Sequence, residues 1–171
     1  MHVKPSLILA ALASMMTTSE ARFGREGLIQ GMVQALSDFG TPGAAGSLAG
    51  QTPGVLLAGA NACAKLSLAD KIVTELGNDA QVLAAAAALV AAEKNTNPFA
   101  NIVPTICSDA SLPATEALRG IVPLVDPAVA GADVQNANSA QSLQSPFQAN
   151  GLSVAEISQA NGFSNFTGQA A

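Results

Sequence analysis

The block LSLADKIVTELGNDAQVLAAAAALVAAEKN, residues 66–95, limits the fold more than any other stretch of the chain. Leu68, Ile72 and Leu76 recur every fourth residue with Ala69 and Val73 beside them, the stripe of an amphipathic helix. Gly77 provides a stop and Asn78 or Asp79 a cap for a second helix over 80–94, and so short a link predicts an antiparallel pair. On the second helix Val82, Leu83, Ala86, Leu89 and Val90 share a face, and Ala86 at its centre lets a partner approach closely. Asp79 sits where an anion suits the N-terminal dipole, and Lys94 where a cation suits the C-terminal one.

Composition extends this reading to the rest of the chain. Hydrophobic residues make up 49% of the sequence, with alanine the commonest of them, while aromatics are only 4%. A core of that kind relies on close helix approach and on Leu, Ile and Val. Helical periodicity also predicts a helix over residues 25–40, with Leu28, Met32, Ala35 and Leu36 on its inner face and Phe39 near its end. The repeated Thr-Pro-Gly at 41–43 and 52–54 predicts a loop around at most one short turn, with a weak helix resuming over 55–64. After Pro98, Pro104 and Pro113 a short helix is expected near 114–122. Pro127 suits a helix start, although the Asn, Gln and Ser content that follows is poor material for packing. The second QANG of the pair at 148–151 and 159–162 ends a helix through Asn161-Gly162, and Ser153 with Glu156 forms a capping box between them. The fold class expected is all-α, a compact bundle of four or five short helices with long Pro/Gly-rich connections and one disulfide.

The N-terminus reads MHVKPSLILAALASMMTTSEA: a positive residue, a short apolar run and a small-residue cleavage pattern, the order of a secretory signal over 1–21. The apolar run is too short to span a bilayer. The domain expected is 22–171, a single helical unit with a flexible C-terminal tail, secreted to the extracellular space. The net charge of −5 and the scattered lysines and arginines argue against nucleic acid as a partner. No later segment has the apolar length of a transmembrane helix.

Cys63 and Cys107 are the only cysteines, and on a secretory route two thiols most simply form one disulfide. The single histidine, His2, lies in the expected signal, so a cleaved chain lacks the usual base for a cysteine or serine nucleophile. Two thiols also fall short of a structural zinc site. A two-carboxylate or Ser-Lys enzyme stays formally open through Asp70, Glu75, Glu93, Asp109, Glu116, Asp126 and Asp133, but Lys71 and Glu75 are more simply a solvated i,i+4 pair. No catalytic, cofactor-binding or metal residue is therefore assigned. Asn165-Phe166-Thr167 makes Asn165 a glycosylation candidate.

The stretches NACAKLSLADKIVTELGND, NPFANIVPTICSDASLPATEALRGIVPLVDPAVAG and QANGLSVAEISQANGFSNFT resemble the small alanine-rich secreted proteins of filamentous fungi. The resemblance implies secretion and a fungal origin and brings no site residues. The function expected is a secreted non-enzymatic protein acting through surface interactions outside the cell or at its surface. The alternatives are an extracellular carrier of a small apolar ligand and an effector that binds a host protein. The partners left open are accordingly a cell-surface component, a host protein or an apolar small molecule.

Overall fold

The computed structural model describes residues 26–96 and 103–171. The signal expected over 1–21, the start at Arg22 and Pro98 lie outside the described residues. In chain order the elements are α1 (Glu26–Gln34), α2 (Ala44–Leu56), α3 (Ala64–Leu76), α4 (Ala80–Ala91), β1 (Thr105–Cys107), a 3-10 turn (Glu116–Leu118), α5 (Ala132–Gln144), α6 (Val154–Ala160) and β2 (Thr167–Gln169).

The α3–α4 hairpin forms as the sequence predicts. Leu68, Ala69, Ile72 and Leu76 are buried, Gly77 terminates α3 in a left-handed backbone (φ 95°), and the Asp79 side chain accepts from the Gln81 N–H. On α4, however, Val82 and every residue from Ala84 to Ala91 are buried, so it is apolar all round instead of amphipathic. A helix of that kind belongs at the centre, and α4 touches α1, α3, the 3-10 turn and α5. Alanine is what allows so many neighbours at once.

Two helices differ from expectation for local reasons. The helix expected over 25–40 ends at Gln34. Its inner face is Ile29 and Val33, continued by Leu36 in the turn that follows, while Leu28 is 43% exposed; EGLIQGMVQAL holds two apolar stripes one residue apart, and the one carrying the β-branched residues is buried. The second Thr-Pro-Gly does not make a loop: Pro53 lies inside α2. Proline leaves the carbonyl four residues back without its donor, and here the hydroxyl of buried Thr52 donates to that same Ala49 oxygen at 2.8 Å. Replacing Thr52 with valine should cost on the order of 1–2 kcal/mol by leaving the Ala49 carbonyl unpaired. The same change in a Pro53→Ala background should be close to neutral, because residue 53 would then supply the N–H. Urea unfolding of the four proteins in this double-mutant cycle tests it; equal losses in both backgrounds would rule the account out.

The polar helix α5 packs by hydrogen bonds. Residues 121–125 run extended beneath it, all buried except half-buried Leu124. Its side chains take up their backbone groups: Gln135 Nε2 donates to Pro123 O (2.7 Å), and Ser142 Oγ accepts from Val122 N (3.2 Å). Asn136 both accepts from Val125 N (2.9 Å) and donates to Val125 O (3.0 Å), as a neighbouring strand would. Asn138 reaches across to the Asn161 carbonyl at the end of α6. The capping box of Ser153 and Glu156 is complete, and Gly162 (φ 93°) follows the end of α6.

The all-α expectation needs correcting, since β1 and β2 pair in parallel, with Thr105, Ile106 and Cys107 opposite Thr167, Gly168 and Gln169. The bundle expected to have four or five helices has six α-helices among the described residues. The stretch expected as a flexible tail is tied down by this pairing, by burial of Phe163 and by its stacking on Phe166, 5.8 Å between ring centroids.

Candidate functional site

Because α3 and α4 run antiparallel, the start of α3 meets the end of α4, where the last carbonyls need donors from outside the helix. Lys65 Nζ donates to Val90 O (2.8 Å) and Ala92 O (2.5 Å), and Leu124 N donates to Ala91 O (2.9 Å). Lys94, placed by the sequence at the end of its own helix, instead donates to Ala58 O (2.8 Å) and Ala60 O (2.6 Å) in the turn after α2. Lys65 is only 5% exposed. Sequence reasoning passed over it, yet the signal was there: positions 65, 69, 72 and 76 form one inward stripe of α3.

Cys63 immediately precedes α3 and is bonded to Cys107 at the end of β1, with Cα atoms 4.7 Å apart. Both are buried. Around the bridge the chain ends are interlaced. Asn61 accepts from Cys63 N and donates to Ala170 O, the Gln169 side chain accepts from Ala62 N, and Ser108 N donates to Gln169 O, all at 2.8 Å. Side chains two apart on a strand share a face, so Thr105 lies on the Cys107 side of β1, and the bridge draws it towards the start of α3.

The result is a cleft of about 220 Å3 beside the disulfide, lined by Lys65 of α3, Lys94 and Thr96 after α4, Thr105 and Ile106 of β1, and Leu124 and Val125 of the extended segment. Ala58, Val103 and two prolines, Pro104 and Pro123, add further apolar wall. The Thr105 hydroxyl oxygen is buried and has no hydrogen-bond partner among the described residues. Thr96 Oγ1 donates to Asp126 Oδ2 at 2.9 Å.

Burial lowers Lys65 to about 7, with Glu93 opposing the shift and Lys94 adding to it. Burial and then Asp126 raise Glu93 to about 7, against the pull of Lys65. Burial also lowers Lys94. These shifts set a pH dependence of stability. Native Glu93 keeps a proton that the unfolded chain loses above its ordinary 4.5, so its contribution falls as pH rises from 4.5 to about 7. Above about 7 native Lys65 is neutral while the unfolded chain holds its proton up to 10.5, so stability then rises with pH. Together the two groups give a minimum near neutrality. Glu93→Gln should flatten the acid limb and Lys65→Met the alkaline one, as read from denaturation midpoints at about pH 5, 7 and 9. Identical profiles for wild type and both variants would refute the assignment.

Of the carboxylates noted in the sequence, Glu93 and Asp126 gather with the two lysines. The others have separate structural duties. Asp70 accepts from Ala114 N and Thr115 N (2.7 and 2.8 Å), Asp109 from Ser111, and Glu75 pairs with Lys71 at 3.8 Å on the surface. Glu116 and Asp133 lie in the first turns of the 3-10 turn and α5. Asn165 is exposed, its amide 3.2 Å from the Ala130 carbonyl. Among the described residues no three His, Cys, Asp or Glu side chains gather as a metal site, and no helix is long and apolar enough to cross a membrane.

Comparison of the chain with protein-family models, with curated proteins and with solved structures gave no match.

Proposed function

We propose that this is a small secreted, non-enzymatic protein that carries a small ligand in the cleft beside the disulfide. The observation behind the reading is the cleft itself, a mostly apolar recess lined also by buried Lys65 and half-buried Lys94. Pockets that take small molecules have this make-up, apolar walls with a few placed polar groups. Each lysine is anchored by two carbonyl acceptors, which suits it to hold a ligand rather than to attack one as a free amine. The disulfide is compatible with an oxidising compartment, and the resemblance to alanine-rich fungal secreted proteins supports the same location. Surface interaction with a cell wall or host protein has less in its favour: Leu28, Leu57 and Val134, large apolar side chains left exposed, sit on three different segments.

A native mass spectrum of the protein collected from the medium of a eukaryotic host tests the carrier reading. A reproducible small-molecule adduct, lost on denaturation, is expected. A bare protein that also takes up nothing from a lipid and metabolite extract would remove the reading.

A further inference from the structure

We propose that the cleft binds a small organic monocarboxylate, its carboxylate held by Lys65, Lys94 and Thr105 and its apolar body by Val103 and Val125. This rests on the carrier reading and assigns the chemistry of the ligand.

The donor count points to an anion. An ammonium has three hydrogens. Lys65 gives two to Val90 O and Ala92 O, and Lys94 gives two to Ala58 O and Ala60 O, which leaves one on each side chain where both line the cleft. The Thr105 hydroxyl is the third donor, buried and unpartnered on the same cleft. Buried polar groups without partners are rare in folded proteins and call for a partner from elsewhere. A carboxylate supplies acceptors for all three, whereas a cation would face two ammonium groups.

Charge balance sets the number of negative charges. The ionisable groups around the lysines are Lys65 on α3, Glu93 and Lys94 after α4, and Asp126 ahead of α5. With Glu93 protonated, two ammonium groups against Asp126 leave one positive charge, which a monoanion neutralises. A dianion such as a phosphate monoester would exceed it and leave a net negative charge beside the cleft. The apolar lining calls for a carbon body, and a volume of about 220 Å3 lies below the usual range of drug-sized sites, so the body is a short chain or a single ring. Lowering the pH protonates both Glu93 and Lys65, so binding should strengthen in mild acid, and near and above pH 7 it should take up protons.

Calorimetric titration of the delipidated full-length secreted protein with octanoate, octanamide and octyl phosphate decides the matter. At about pH 5.5 octanoate should bind about tenfold or more tighter than octanamide, and its affinity should fall about tenfold by pH 8.5 with proton uptake on binding. Lys65→Met should abolish the preference for the acid over the amide. Should that variant fail to fold, Thr105→Val, which removes an unpartnered hydroxyl, should keep wild-type stability and weaken octanoate several-fold more than octanamide. Octanamide binding as tightly as octanoate would overturn the carboxylate assignment and leave the carrier reading standing. Tighter binding of octyl phosphate would overturn the single-charge argument. No binding of any probe, together with a bare native spectrum, would sink both readings.

Discussion

Replacing Gly120 with alanine is expected to cost at least about 3–4 kcal/mol, among the largest losses a single methyl can bring. The residue follows the 3-10 turn with φ +84°, a backbone region that disfavours any Cβ. A Cβ built there would lie 2.0 Å from the Phe147 carbonyl oxygen and 2.9 Å from its nitrogen, both backbone atoms that cannot swing aside. The approach is close because Phe147 N donates to Gly120 O at 3.1 Å, joining the chain after α5 to the start of the extended segment. Gly43 is the control. Its φ of +85° is nearly the same, but a Cβ there meets nothing within 4 Å, so Gly43→Ala should lose only about 1–2 kcal/mol. Guanidinium unfolding of the two variants separates backbone strain from collision. Equal losses would mean that the 120–147 contact relaxes and the argument fails.

The second large effect is loss of the bridge. Converting Cys63 and Cys107 together to alanine opens a loop of sequence separation 44, and the chain-entropy account predicts a loss of about 4 kcal/mol. The loss should be unevenly distributed. The α3–α4 hairpin keeps its own packing and caps, whereas β1 and β2 pair over only three residues each and depend on the bridge for their position. Hydrogen exchange should therefore quicken at the N–H groups of Ser108 and Thr167, which donate to Gln169 and Pro104, well before it does in α4. Uniform acceleration across the hairpin would show the bridge to stabilise the whole domain evenly and would refute this local account.

The parts legible in the sequence were those governed by local rules. The α3 stripe, the Gly77 stop, the Asp79 cap, the Ser153–Glu156 box and the Cys63–Cys107 pair each depend on residues close together or, for the cysteines, on there being only two. Helix α2 was missed because Gly46, Gly50, Pro53 and Gly54 read as a loop. The first, second and fourth of these lie off its buried face, and Thr52 makes good the hydrogen bond that Pro53 lacks. The polarity of α5 argues against packing when read alone, but it serves an extended segment elsewhere in the chain. The sheet was not legible at all, since three-residue strands show no alternation and their pairing is long-range. The cleft was only half visible. Glu93 and Asp126 stand out in the sequence as acids, but Lys65 and Thr105 gain their meaning from neighbours that only the fold supplies.

The interlacing of the C-terminus with the bridge also has a consequence in time. Contacts within the hairpin join near neighbours and can form early, whereas the bond from Asn61 to Ala170 spans 109 residues. A chain synthesised from its N-terminus can therefore close the α3–α4 hairpin before β2 exists to pair with β1. The wall carrying Thr105 and Ile106 is set only once β2 has paired with β1, so the shape of the cleft depends on the longest-range contacts of the fold rather than on the hairpin beneath it.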